Sequence, residues 1–80
     1  MSYDADMQNY PPETRINVRR KDVPYGPGNT KFKEFVFGRI YQAAPIYNPP
    51  NRLTGYAVWP SPDGHYDVML AEFNIYFEIT

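Results

Sequence analysis

The segment LTGYAVWPSPDGH, residues 53–65, decides the fold that the sequence predicts. Its first seven residues are mostly apolar, aromatic or β-branched, which is typical of a strand. The Pro-Ser-Pro-Asp-Gly stretch that follows is a turn sequence, in which Gly64 is free to take a positive φ. The chain then returns from His65. We therefore predict a β-hairpin whose two strands flank residues 60–64.

A second pattern lies in residues 69–79, where every second residue is apolar and most residues between them are polar from Glu72 onward. A period of two residues is that of a strand with one buried face, and the same residues would be scattered around a helix. We therefore predict a long last strand over residues 69–79. Residues 14–19 alternate in the same way and predict a first strand.

Residues 31–44 fit either a helix or a strand. As a helix, the segment would begin after Thr30 as N-cap and place four apolar residues on one face. As a strand, it would carry Gly38 at a bulge or a tight bend. Because Phe37 and Tyr41 would interrupt the polar side of the helix, we favour the strand. The Pro-rich and Gly-rich segments at 21–30 and 45–51 are predicted to be loops.

Together these elements predict a mainly β fold, a small antiparallel sheet or partly closed barrel of about four strands. The class becomes α+β if residues 31–44 are helical. Residues 1–14 contain few apolar groups and end in a Pro-Pro pair, so we predict an extended arm that precedes a single β-rich domain over residues 15–80.

Reactive side chains are scarce. The chain contains no Cys and a single histidine, His65, which lies next to the predicted turn. Asp63, His65 and Asp67 have the spacing of a small metal site, but the turn itself explains an Asp before Gly64. No Gly-rich phosphate loop is present. We therefore predict a protein that is not an enzyme and that uses neither a metal nor another cofactor.

The net charge of −1 conceals an uneven distribution. Residues 1–14 hold three acidic and no basic groups, residues 15–39 seven basic and two acidic, and residues 40–80 one basic and four acidic, giving −3, +5 and −3. The middle segment can attract an acidic partner, or the acidic segments can cover it within the fold. No apolar stretch has the length of a membrane span and the first residues do not resemble a signal peptide, so we predict a cytoplasmic protein without membrane contact.

Eight Tyr, five Phe, one Trp and five Arg among 80 residues favour recognition of another macromolecule, most readily a protein or a second copy of the chain. Trp59 is expected in the core. The function that this suggests is steric, either as a small subunit of a larger assembly or as a stoichiometric inhibitor, and a viral or phage origin would suit both. The candidate contact residues are Tyr3, Tyr10, Arg19, Arg20, Tyr25, Tyr47, Arg52 and Tyr76.

The alternative is a single-stranded nucleic-acid-binding domain built on residues 31–41, where basic and aromatic residues are interleaved. On a sheet surface the rings would stack on bases while the basic groups contact phosphates. The segment matches the aromatic RNA-recognition signature poorly, and the isoelectric point of about 5.7 is low for such a module. The candidate residues for this alternative are Lys31, Lys33, Phe35, Phe37, Arg39 and Tyr41.

Overall fold

The computed structural model, which describes Tyr10 and residues 12–80, contains one open antiparallel sheet of five strands in the order β4-β3-β2-β1-β5. The strands are β1 (Ile16–Arg20), β2 (Ile40–Asn48), β3 (Arg52–Ser61), β4 (Gly64–Met69) and β5 (Phe77–Ile79). This confirms the predicted mainly β class and the small antiparallel sheet, with one strand more than expected. No helix among the described residues is long and apolar enough to cross a membrane.

The predicted hairpin is present as β3 and β4. The two strands pair from Gly55 opposite Met69 to Ser61 opposite Gly64, so the connection is tighter than residues 60–64 suggested. Gly64 does not use a positive φ, which among the described residues occurs only at Gly38. The first strand is also confirmed, displaced toward Arg20 by about one residue.

The prediction of one long strand over residues 69–79 is wrong. β4 ends at Met69, helix α1 occupies Leu70–Tyr76, and only Phe77–Ile79 is a strand. The physical reason is a second apolar pattern in the same residues. Phe73, Tyr76 and Phe77 are spaced to share one helical face and all three are buried, whereas Ile75, which the alternating pattern placed inside, is half exposed. The helix carries the chain from one edge strand to the other.

The strand favoured for residues 31–44 is correct only from Ile40. Pro27–Glu34 forms a 3-10 helix with a kink at Asn29, and a turn at Phe37–Gly38 leads into β2. The predicted loop over 45–51 is also largely wrong, because β2 continues through Pro45 to Asn48. Pairing between β1 and β2 ends at Ala43, so the missing N–H of Pro45 interrupts no ladder on that side.

The sheet is covered on its inner face, and on its outer face it is covered around Trp59. Its inner face packs against α1 and the 3-10 helix around the fully buried residues Val18, Phe32, Val58 and Val68. On its outer face Trp59, only 2% exposed, packs with Ala44 and Ala57, which confirms its predicted place in the core.

The predicted extended arm over residues 1–14 lies largely outside the described residues. Within it, Tyr10 packs against the outer cluster, and Pro12–Thr14 forms a short 3-10 turn instead of an extended segment. The described part of the arm therefore contacts the sheet of its own chain.

Candidate protein-binding surface

Two shallow cavities flank the side chain of Phe37 at the end of the sheet where β1 stops and β2 begins. The larger has a volume of about 350 Å³ and lies between Phe37 and the β1 residues Arg19 and Arg20. The smaller, about 220 Å³, lies between Phe37, Tyr25 and Lys33. We call this region the Phe37 surface. It comprises Arg19, Arg20, Lys21, Tyr25, Lys33, Val36, Phe37, Arg39 and Ile40.

Phe37 projects from a turn that is fixed to the strands on both sides. The backbone N–H of Gly38 donates to the carbonyl oxygen of Arg20 at 2.8 Å, and the N–H of Arg20 donates to the carbonyl of Arg39 at 3.0 Å. At the start of the turn, the N–H of Val36 donates to the hydroxyl of Tyr41 at 2.6 Å. Gly38 has φ of 78°, a value that residues with a Cβ rarely adopt. The turn therefore fixes the backbone of Phe37, a residue that is 48% exposed.

Two other large apolar residues near Phe37 in the sequence are also exposed. Val36 is 51% and Ile40 44% exposed. Ile40 pairs with Arg19 across β1 and β2, so its side chain lies on the outer face of the sheet next to that arginine. Large half-exposed apolar groups on a hydrogen-bonded turn and strand resemble the contact residues of protein interfaces, since their backbone loses little entropy on binding.

Arg20 lies beneath Phe37 and is fully buried. Its guanidinium carbon lies 4.8 Å from the centre of the Phe37 ring and 5.2 Å from that of Tyr76. Nη1 donates to the carbonyl oxygen of Lys21 at 2.5 Å, but Nε and Nη2 are buried and have no hydrogen-bond partner among the described residues. Burial lowers the pKa of the guanidinium, and the neighbouring Tyr76, Tyr41 and Asp22 act in the opposite direction.

Basic groups surround the exposed rings. Arg19 forms an exposed ion pair with Glu78 at 3.4 Å, and Lys21 Nζ donates to the carbonyl oxygen of Asn74 at 2.8 Å. Lys33 and Arg39 form no ion pair with any residue that the structure describes. Basic groups outnumber the acidic groups at this end of the sheet, where Asp22 and Glu78 line the larger cavity.

The structure divides the residues predicted to contact a protein among several places. Arg19, Arg20 and Tyr25 belong to the Phe37 surface. Tyr47 and Arg52 lie at the opposite end of β2 and β3, where Tyr47 is 56% exposed. At about 3.3 Å per residue, the length of β2 separates the two ends by roughly 25 Å.

The other predicted contact residues are less accessible. Tyr10 lies on the outer face, with its ring centre 4.9 Å from that of Trp59 and 5.6 Å from that of His65. Tyr76 is buried and stacks on Phe32 at 4.2 Å. Tyr3 lies outside the described residues. The predicted residues therefore do not form one continuous surface.

The residues of the nucleic-acid alternative do not share one sheet surface either. Phe35 and Tyr41 are buried and pack edge to face at 4.9 Å, and Lys31 is paired with Glu72 at 3.4 Å. Phe37, Lys33 and Arg39 are exposed. Only one aromatic ring of the predicted set is thus accessible for stacking on a base.

The residues with reactive side chains cluster near the β3–β4 turn. His65 Nε2 lies 3.1 Å from Asp67 Oδ1, the Ser61 hydroxyl donates to Asp63, and the Tyr66 hydroxyl donates to Glu34. Within the described part of the chain, no three metal-ligating side chains come together. The absence of catalysis and of cofactors stays a prediction.

Sequence reasoning did not assign the apolar part of the Phe37 surface to protein binding. A signal was available in Phe35-Val36-Phe37, because three consecutive apolar residues before a glycine cannot all face one core. Comparisons with protein-family models, with curated proteins and with solved structures gave no significant match to this chain.

Proposed function

We propose that this protein is a non-catalytic binding module that acts sterically on another protein through the Phe37 surface. It would act as a small subunit of an assembly, of viral or phage type among others, or as a stoichiometric inhibitor. The observation that carries the proposal is the pair of half-exposed apolar side chains Val36 and Phe37 at a hydrogen-bonded turn, followed by half-exposed Ile40 at the start of β2.

The energetics of interfaces support this choice of surface. Aromatic and arginine side chains contribute most strongly to protein binding, at about 2 kcal/mol or more for each dominant residue. The backbone that carries Phe37 is already fixed by the turn, so little backbone freedom is lost when a partner covers the ring. The basic groups Lys33 and Arg39 are free to orient an acidic partner during association.

The nucleic-acid alternative has weaker support. Base stacking on single strands normally uses several rings along a groove. In this chain Phe35 and Tyr41 are used by the core, which leaves Phe37 alone among the predicted rings. A cytoplasmic location belongs to the same proposal as an expectation from the sequence.

Affinity capture from a host lysate with matched variants tests the proposal. Phe37→Ala removes the central ring of the Phe37 surface, and Tyr47→Ala removes a ring of similar exposure near the opposite end of β2. We expect a stoichiometric protein that survives nuclease treatment, is retained by Tyr47→Ala and is lost by at least about tenfold with Phe37→Ala.

Two results would contradict the proposal. Loss of all bound material after nuclease treatment would transfer the function to nucleic acid. Equal capture by Phe37→Ala and the wild-type chain, with Tyr47→Ala defective, would place the interface at the opposite end. Circular dichroism of both variants establishes that each keeps the fold.

A further inference from the structure

The buried guanidinium of Arg20 is the least satisfied polar group in the described part of the chain. Buried polar atoms in folded proteins nearly always have a hydrogen-bond partner, and a charged group without one is costly. Arg20 leaves two such atoms, Nε and Nη2, without a partner. The chain therefore holds a charged group in its interior with unused hydrogen-bonding capacity.

The two unused atoms form a recognisable binding edge. Nε and Nη2 carry parallel N–H bonds on the same side of the planar group, and this arrangement matches the two oxygens of a carboxylate. Nη1, on the other side, is already bound to the carbonyl oxygen of Lys21. The guanidinium is thus hydrogen-bonded through Nη1, and its Nε–Nη2 edge, the edge that can bind a carboxylate, is unoccupied.

Phe37 covers this group from the solvent side. Its ring stacks over the guanidinium and is itself half exposed, and Arg20 borders the cavities on both sides of it. Rotation of the Phe37 side chain would uncover the face of the guanidinium on which the ring lies, while the backbone hydrogen bonds of the turn stay in place. Exposed side chains change rotamer on a nanosecond timescale.

We propose that Arg20 is an anchor for a carboxylate of an acidic peptide segment, which binds when the Phe37 ring swings aside. The inference rests on the proposed function, because the peptide segment belongs to the protein partner. Charge complementarity supports an acidic partner, since Lys21 lines one of the two cavities beside Phe37 and Lys33 lines the other. Aromatic walls at Tyr25 and Phe37 favour an organic acid over a small inorganic ion.

The experiment is an NMR titration of the whole chain that follows the Nε–Hε signals of the arginines. The probes are sodium acetate, an acetylated and amidated hexaglutamate peptide, and sodium phosphate, with sodium chloride keeping the ionic strength constant. We expect a saturable shift of the Arg20 signal with acetate and with the peptide, and tighter binding of the peptide. The Arg19 signal, already paired with Glu78, should shift without saturation.

Two variants separate the specific edge from general charge attraction. Arg20→Met and Arg19→Met each remove one positive charge from adjacent positions. We expect Arg20→Met to weaken peptide binding by at least about tenfold and Arg19→Met by less than about threefold, measured on the backbone amides of Lys21 and Gly38. Phe37→Ala should strengthen acetate binding severalfold because the cover is gone.

Three results would overturn the inference. The first is that the Arg20 signal shows no saturable shift in the wild-type chain or in Phe37→Ala. The second is that Arg20→Met and Arg19→Met weaken peptide binding equally. The third is that phosphate binds more tightly than the peptide. The proposed function fails separately. If the chain binds acetate at Arg20 but captures no protein, the carboxylate site is supported and the protein interface is not. If Arg20→Met captures the partner as well as the wild-type chain does, the protein interface is supported and the role of Arg20 as an anchor is not.

Discussion

The substitution Arg20→Met tests whether Arg20 is retained at the expense of stability. Methionine has a similar length and apolar character along its stem, so it fills the space between the Phe37 and Tyr76 rings without a charge. If the guanidinium is as poorly satisfied as its geometry shows, the variant should be at least as stable as the wild-type chain.

The magnitude follows from the contacts of Arg20. The substitution removes two unpaired buried donors, each costing about 1–3 kcal/mol. It also removes one charged hydrogen bond worth about 1.5–3 kcal/mol and two ring contacts worth about 0.5–2 kcal/mol each. These contributions nearly cancel. Because replacement of buried charges by apolar residues is neutral to stabilising by about 1–4 kcal/mol, we expect a gain of about 1 kcal/mol.

Urea unfolding followed by the fluorescence of the single, buried Trp59 measures this free energy. Arg19→Met is the matched control. Its exposed ion pair with Glu78 is expected to contribute no more than about 1 kcal/mol. A loss of about 2 kcal/mol or more in Arg20→Met would refute the reasoning, since it would show that the guanidinium is well satisfied in the folded chain.

Three further substitutions, one of them with a matched control, test the fold that supports the Phe37 surface by the same unfolding measurement. Gly55→Ala should cost about 3 kcal/mol or more, because the added Cβ would lie 2.3 Å from the carbonyl oxygen of Val68. The control Gly64→Ala has open space around its Cβ and should change stability by less than about 0.5 kcal/mol. Equal effects would contradict the β3–β4 packing. Phe32→Ala should cost about 3–5 kcal/mol, because the ring is fully buried, and a cost below about 1 kcal/mol would contradict its position under Tyr76. Tyr41→Phe should cost about 1–2 kcal/mol, because it removes the hydroxyl acceptor of the Val36 N–H, and no change would show that water replaces that acceptor.

The sequence predicts the sheet best where pattern and turn chemistry agree. The hairpin around residues 60–64 combines an apolar run with turn residues, and the structure contains it. Residues 69–79 carry two patterns at once. Their period of two predicts a strand, while Phe73, Tyr76 and Phe77 also fit a helical face. The choice between them depends on the rings of Phe32 and Tyr56, which stack on Tyr76 and Phe73 from distant parts of the chain.

Pro45 shows a similar limit. A proline normally argues against a strand interior, but the cost depends on whether a neighbouring strand needs its N–H. Only the register shows that β1 ends its pairing at Ala43. Local sequence contains no information on this register, so the predicted loop over residues 45–51 failed.

The candidate site was predictable in its residue types but not in its arrangement. The positive charge of the middle segment and the abundance of rings indicated binding, and Arg19, Arg20 and Tyr25 do lie together. The burial of Arg20 and the exposure of Phe37 depend on how the turn after the 3-10 helix meets the end of β1. That contact joins residues about twenty positions apart. No local sequence pattern specifies that Arg20 is buried and Phe37 is exposed.

Amide hydrogen exchange on the chain alone and on the complex with its captured partner tests the central claim most directly, because it locates the interface without a substitution. If the Phe37 surface is the interface, we expect slower exchange on binding in residues 19–21 and 36–40, and no change in residues 47–53 at the opposite end of β2. Slower exchange confined to residues 47–53 would contradict it, since the interface would then lie at Tyr47 and Arg52 and not at the Phe37 surface.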